Sequence, residues 1–257
     1  MILEEFEAGR AVIEPCMIHE KVEGFPRVAV SCFSSKLFES VLSTLEYREA
    51  GLIKGANGRK PVYAVKYGGS EFAFYMSAVG APSCVGDFED AIAQGAEALV
   101  LLGTCGVLDK TIEDCGIIIP SAAIRDEGTS YHYAPPSDTI AVNKKYRDDF
   151  IEILSRRGYK YTEGVTWTTD AFYRETPEKV KRRKEAGAVC VEMECSAMQA
   201  LCDFRGADFF QFLYAADNLD HTSWDPRSLS GGVRLDEKTK IAYLAFELAL
   251  KMEEDLK

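Results

Sequence analysis

Residues 98–103 read ALVLLG and residues 208–217 read DFFQFLYAAD, and these two stretches decide the fold class. Each is an unbroken apolar run of strand length. Such runs mark strands covered on both faces, not strands with one wet side. Sheets of that kind carry helices above and below. Working outward, RVAVSCF (27–33) and GIIIPSAAI (116–124) are runs of the same type. PVYAVKY (61–67) and EFAFYMSAV (71–79) flank Gly68-Gly69-Ser70 and read as a β-hairpin. Between the strands lie helical patterns. Phe38, Val41, Leu42 and Leu45 share a helical face over 38–50, with Gly51 as the stop. Ser83, after Pro82, is placed to cap a helix carrying Val85, Phe88 and Ile92. Asn143 opens a helix that turns Tyr146, Phe150, Ile151 and Leu154 inward and ends near Gly158. Thr176-Pro177 starts a basic helix, and Pro suits a first helical turn. VCVEME leads into a helix at SAMQALCDF, and Ile241, Leu244, Leu248 and Met252 stripe the last helix. GANGRK (55–60) and 126–138 read as loops. Strand and helix alternate without repeat or linker, which predicts one α/β domain over 1–257 with a largely parallel sheet.

Composition narrows the function. The 257 residues hold 30 Lys and Arg against 41 Asp and Glu, a formal charge of −11. That balance disfavours nucleic acid and anionic membrane as partners, since both select clustered basic residues. Apolar residues at 47% rule out disorder as the main state. No run approaches the ~18 apolar residues that span a bilayer. MILEEFEAGR at the start is acidic and lacks the apolar core of a signal peptide. The eight cysteines form no CxxC pair and no Cys/His cluster, so they read as buried reduced thiols, with no metal site. The expectation is a soluble cytoplasmic protein.

In α/β sheets, sites gather at the carboxyl ends of strands. Three such ends carry unusual residues here. Gly103-Thr104-Cys105-Gly106 offers N–H groups and a hydroxyl to an anion, or is a plain tight turn. Glu192 and Glu194, two apart in VEME, share one face of a strand. Burying them is costly unless they are bonded or protonated. One carboxylate suits a vicinal diol such as a ribose; the structural reading is charge complementing the next helix. Asp217, at the end of an apolar strand, is a candidate general acid with a raised pKa, or a turn residue.

Taken in order, GAPS (80–83), GTCG (103–106), TTDAFY (168–173), VEMECSAM (191–198) and AADN (215–218) resemble the nucleoside phosphorylase family, in the branch of hexameric bacterial purine nucleoside phosphorylases and uridine phosphorylases. The resemblance covers about 26–250, and RDEGTSYHY (125–133) is similar to the family's central loop. It implies a three-layer α/β/α sandwich around a mixed, partly barrel-like sheet. It also implies a homo-oligomer, expected to be a hexamer, built from dimers that share sites. Carried onto this chain, it implies that Asp217 protonates the leaving purine and Glu194 holds the ribose hydroxyls. Met193 then packs on the sugar, with His19 meeting the 5′ hydroxyl of a neighbour's ribose, or lying on the surface. Phe172 and Glu192 meet the base, and Thr104 binds phosphate. The implied reaction is phosphorolysis of a nucleoside to free base and ribose 1-phosphate, with phosphate as co-substrate and no cofactor.

Two departures stand out. The family's Gly-Asp-Pro-x-Arg loop is replaced by Cys32-Phe33-Ser34-Ser35-Lys36, and the arginine three residues before Thr104 is Leu101. Ser34, Lys36 and a neighbour's Arg59 or Lys60 are the side chains available to compensate. No Gln-x-Arg triplet follows Phe172-Tyr173, which disfavours uracil, whereas EGTSYHY occurs among relatives called uridine phosphorylases. Uridine phosphorolysis, hydrolysis by a nucleosidase, and a silent nucleoside-binding protein are the alternatives.

Overall fold

The computed structural model describes residues 2–4, 6–56, 58–220, 223–230 and 232–257. Ten strands and six α-helices follow one another in chain order. They are β1 Val28–Cys32, α1 Ser35–Leu42, β2 Tyr47–Gly55, β3 Gly58–Tyr67, β4 Ser70–Met76, α2 Ala81–Gln94, β5 Ala98–Val107 and β6 Ile117–Asp126. Then come β7 Thr139–Ala141, α3 Lys144–Arg157, β8 Tyr161–Thr169, α4 Pro177–Glu185, β9 Ala188–Glu192, α5 Cys195–Arg205, β10 Asp208–Asn218 and α6 Leu235–Asp255. Among the described residues, no helix is long and apolar enough to cross a membrane.

All ten strands join one sheet, in the order β10-β6-β8-β9-β5-β1-β4-β3-β2, with β7 on β6. β10 also pairs with β5, so β5, β10, β6, β8 and β9 close into a ring. This ring is the barrel-like part. Five pairings are parallel (β1–β4, β1–β5, β5–β10, β6–β8, β8–β9). The other five are antiparallel, so the sheet is mixed, not largely parallel.

Alternation along β1 and β5 sorts the core into two layers. Val28, Val30, Ala98, Val100 and Leu102 pack with α1, α3 and α6. Ala29, Leu99 and Leu101 pack with α2 and α5 on the other face. The double coverage expected from ALVLLG and DFFQFLYAAD is therefore present, and the architecture is an α/β/α sandwich with one partly closed end.

Several local expectations hold. Asn143 accepts from Tyr146 N and Gly158 closes α3 in the left-handed region. Thr176 accepts from Lys179 N at the start of α4. The hairpin turns between Tyr67 and Ser70. Others are corrected. The helix expected over 38–50 stops at Leu42, because residues from Tyr47 pair along β3 as an edge strand. Gly51 is no helix stop; it lies at a bulge in β2, beside the Gln94 amide that bonds Leu52. Most of the loop expected at 55–60 is strand, since Gly55 pairs with Gly58 and Arg59 with Lys54. Asn57 of that stretch lies outside the described residues. Ser83 does not cap α2, which starts two residues earlier behind Gly80 with proline in its first turn. β7 and β8 lie in segments where no strand was expected.

Candidate active site

The carboxyl ends of β5, β9 and β10 open onto a cleft of about 1540 Å³, whose other wall is the 172–185 segment. It gathers Thr104, Phe172, Glu192, Met193, Glu194 and Asp217, six of the residues expected to act together.

The VEME segment explains itself once its neighbours are in place. β8 lies parallel to β9 and puts Thr166 and Thr168 beside Glu192. Glu192 Oε1 accepts from Thr168 Oγ1 at 2.6 Å and Thr166 Oγ1 at 3.3 Å. Its Oε2 accepts the N–H groups of Glu194 and Cys195 at 2.8 and 2.7 Å. Four donors saturate this carboxylate, and two of them are the unpaired amides that open α5. Glu192 is therefore an anchor of the α5 start, not a reader of the base as expected, because no oxygen is left over for a ligand.

Glu194 is the opposite case. It is buried, and Oε1 takes the Gly80 N–H at 2.6 Å, with the Met193 backbone as a weaker influence. Burial, and then the nearby Glu192 charge, push its carboxyl up to about 8. Gly80 sits at φ 95°, a conformation that suits glycine, and this aims its N–H at the acid. A carboxylate in a cleft with acceptor capacity to spare is what a pair of hydroxyl donors needs.

Asp217 stands on β10 where its register with β5 shifts, next to Gly106. A Cβ at position 106 would lie 3.2 Å from Asp217 Oδ1 and 2.3 Å from the end of the Leu219 side chain, so glycine here lets the acid approach β5 closely. Trp224 Nε1 donates to Asp217 Oδ2 at 2.8 Å. Burial nonetheless raises the Asp217 pKa, the Trp224 bond opposing it. Glu175, half-buried in the same cleft, is pushed up to about 7, first by burial and next by repulsion from Asp217. Both acids line the cleft, as do Phe172 and Tyr173, which are exposed. Thr104 is half-buried on β5, between these acids and Phe33.

Four other expected residues lie away from this cleft in the chain. Ser34 Oγ accepts from Leu37 N and caps α1. Lys36 is exposed on α1, 3.8 Å from Glu39. Arg59 is exposed on β3, and its neighbour Lys60 is tied to Asp87. His19 is neither in the cleft nor on the surface: it is buried, with Nε2 2.9 Å from Asp90. Leu101, in the arginine position, is a core residue. Sequence reasoning missed Glu175, Trp224, Gly80 and the lysines at 110, 181 and 184, all but Gly80 being cleft-lining residues. The basic character of α4 was visible, but not which way it faces.

The RDEGTSYHY segment buttresses the site from behind. Glu127 Oε1 accepts from Ser196 Oγ at 2.8 Å and Oε2 from Ser130 N at 2.9 Å, tying the loop to α5. Arg125 is buried and donates to Ser130 Oγ, Ser137 Oγ and the Pro135 carbonyl. Its guanidinium also lies 4.1 Å from the Tyr131 ring centre. Arg125→Met should cost about 1–3 kcal/mol, because it removes three hydrogen bonds at once and strands the buried Ser130 hydroxyl. Urea denaturation of the variant beside wild type measures this; a loss below about 0.5 kcal/mol would mean that the network is not structural.

Comparison with known proteins agrees with this arrangement. The model of the phosphorylase superfamily matches residues 27–243. The chain belongs to the phosphorylase superfamily. A DeoD-type purine nucleoside phosphorylase of Bacillus cereus is 27% identical over 131 residues, 49% of this chain and 54% of the relative. One of Bacillus thuringiensis has the same identity and coverage. The chain thus spans about half the length of the curated relatives it matches. Superfamily members of known structure extend the likeness. The purine nucleoside phosphorylase of Toxoplasma gondii, solved with immucillin-H, superposes with a TM-score of 0.74 at 19% identity, over 88% of this chain and 90% of that one. A uridine phosphorylase of Vibrio fischeri ES114 gives 0.77 at 18% identity, over 95% and 100%. At these identities the superposition shows the superfamily fold and leaves the choice of base open.

Proposed function

We propose that this protein is a nucleoside phosphorylase preferring purines, which splits a nucleoside with phosphate into free base and ribose 1-phosphate. The observation that carries the reading is the pairing, in one cleft, of a buried Glu194 with acceptor capacity to spare and an Asp217 whose carboxyl burial raises above the usual carboxylate range. Glu194 accepts the 2′ and 3′ hydroxyl protons of the ribose. Met193 packs on the sugar and Phe172 stacks on the base. As the glycosidic bond breaks, positive charge develops on the sugar and negative charge on the base. Asp217 gives its proton, or a strong hydrogen bond, to purine N7, a contribution on the order of 10²–10⁴ in rate. Phosphate at Thr104 supplies counter-charge and then the nucleophile. Nothing in this scheme calls for a cofactor. It goes with a cytoplasmic enzyme assembled from dimers into a hexamer, in which a neighbour's Arg59 reaches toward the phosphate.

Purine is preferred over uracil because a purine offers N7 to Asp217, and because no Gln-x-Arg triplet follows Phe172-Tyr173 to read a uracil edge. Thr104→Ala should raise the Michaelis constant for phosphate about tenfold or more and that for nucleoside much less, one charge-assisted hydrogen bond being lost. Initial rates with each substrate varied in turn measure the two constants; an unchanged phosphate constant places the anion elsewhere.

Hydrolysis is the second reading, and one observation favours it. Leu101 is in the core, and among the described residues neither Ser34 nor Lys36 lines the cleft, so the side chains expected to compensate for the missing arginines are not gathered there. Base release with and without inorganic phosphate separates the two. Release only with phosphate supports phosphorolysis; equal release without it means water is the nucleophile.

A further inference from the structure

Among the described residues the Asp217 carboxyl accepts one hydrogen bond, and the donor is an exposed side chain. Trp224 Nε1 donates to Oδ2 at 2.8 Å, while the residue as a whole is 61% exposed. A tryptophan left so open gains little from burial, so packing does not account for its place. The backbone does. Asn218 N donates to the Asp225 carbonyl at 2.9 Å, and Asp225 N donates to the Asn218 carbonyl at 3.2 Å. This antiparallel bridge brings the chain back against the end of β10 and sets residue 224 beside residue 217. Asn218 Oδ1 also accepts from Asp220 N at 2.8 Å. On the far side, Arg227 N donates to Asp225 Oδ1 at 3.2 Å, and Arg227 Nη1 donates to the Ile112 carbonyl at 2.9 Å. The segment that carries Trp224 is thus tied down at both ends, with the indole lining the cleft.

We infer that Trp224 is a positioning residue for the general acid: its N–H fixes Asp217 Oδ2 as an acceptor, leaves the proton to Oδ1, and stabilises the carboxylate formed when that proton passes to the base. This deepens the reading above and rests on it. A carboxylic acid carries its proton on one oxygen. An N–H aimed at Oδ2 occupies a lone pair there and favours the form with hydrogen on Oδ1. In the leaving-group step the Oδ1–H bond breaks and its electron pair stays on Asp217. The purine N7 lone pair takes the proton, and the pair from the broken glycosidic bond neutralises the base. The Trp224 bond meanwhile changes from neutral to charge-assisted, and bonds of the second kind are roughly twice as strong. An interaction that strengthens along the reaction lowers the barrier; one equal at both ends does not. Burial raises the Asp217 carboxyl, the Trp224 bond opposes the rise first and the Arg227 charge next, and Asp225 adds to it. The other titratable groups on this side of the cleft are Cys105 of β5, Lys110, Glu175, Lys184 and Asp220. Among the described residues none of these bonds to Asp217.

The test is Trp224→Phe, which keeps an aromatic ring and removes the N–H. With phosphate present, kcat for adenosine and inosine is measured across about pH 5–10 on wild type, Trp224→Phe, Asp217→Asn and the double variant, with a melting curve for each. Trp224→Phe should lower kcat about ten- to a hundredfold, the scale of one hydrogen bond to a charged group. A general acid works while protonated, so kcat falls as pH rises through its pKa. The Trp224 bond holds that pKa down, and its loss should move the alkaline limb to higher pH. Every other group around Asp217 is common to the two proteins, so the difference between the profiles reports this bond. In the Asp217→Asn background the same substitution should change kcat by no more than about twofold, because the residue it acts through is gone. The exposed position predicts a melting temperature close to that of wild type. A folded Trp224→Phe with wild-type kcat, a limb that stays in place, or equal losses in both backgrounds overturns the role of Trp224 alone; equal losses mean that the ring acts on the base directly. Unchanged purine cleavage by Asp217→Asn overturns the general-acid reading and this inference with it. Release of base from neither nucleoside by wild type, with or without phosphate, overturns the phosphorylase reading as well.

Discussion

Glu194→Gln is expected to abolish most turnover while leaving a protein that folds at least as well as wild type. The catalytic half follows from hydrogen-bond capacity. The Glu194 carboxylate gives one lone pair to Gly80 N–H and keeps the rest for ligand hydroxyls. An amide oxygen accepts without charge, and its NH₂ meets the Gly80 N–H or the hydroxyls donor to donor. Losing two bonds that are charge-assisted once the carboxyl is ionised, at about 1.5–3 kcal/mol each, lowers kcat/KM by about 10²–10⁴-fold at pH 8.5. The stability half follows from linkage. Burial, followed by the Glu192 charge, lifts this carboxyl to about 8 from an ordinary 4.5. The folded protein therefore binds a proton that the unfolded chain releases, and stability falls as pH rises from about 4.5 through about 8. Glutamine carries no such dependence. The melting temperature of Glu194→Gln relative to wild type should rise across that window and show little gain below it. Steady-state rates and melting curves at pH 4.5, 6, 7 and 8.5 test both halves. Near-wild-type kcat/KM in the folded variant would remove Glu194 from the site.

Asp217→Asn is expected to separate the two classes of base. Purines depart best with N7 protonated or firmly hydrogen-bonded, and burial raises the Asp217 carboxyl in the direction that this requires. Asparagine offers only a weak N–H. Cleavage of purine nucleosides should fall by about 10²-fold or more, the scale of general acid catalysis. Any cleavage of uridine should fall far less. A purely structural Asp217 behaves differently, since its bond from Trp224 Nε1 would be weakened whatever the substrate. Both activities would then drop together along with the melting temperature. Measuring adenosine, inosine and uridine on one preparation, with its melting curve, distinguishes the two, and equal losses end the general-acid assignment.

How legible this protein is depends on the range over which each feature is decided. β5 and β10 were readable from ALVLLG and DFFQFLYAAD, because a strand covered on both faces needs apolar residues at every position. The caps at Asn143 and Thr176 were readable because their partners lie three residues away. GTCG, VEME and AADN were readable as site elements because glycine and acids at strand ends conflict with the apolar runs before them. β2 was not, since nothing inside YREAGLIKG outweighs the helical spacing just before it; only pairing with β3 makes it a strand.

Within the site the division is sharper. The sequence by itself determined that two carboxylates of one strand end are buried and must be bonded or protonated. It held no statement of which is which. Thr166 and Thr168 come from β8 and the amides of Glu194 and Cys195 from the start of α5, and all four converge on Glu192. Gly80 reaches Glu194 across more than a hundred residues. In the same way the sequence singled out the acid in AADN but not Glu175, and only the folded sheet brings Asp217 and Glu175 into one cleft. Periodicity and capping act between near neighbours in the chain. The supply of donors to a carboxylate, and the repulsion between two of them, act through space, and so the tertiary structure alone decides them.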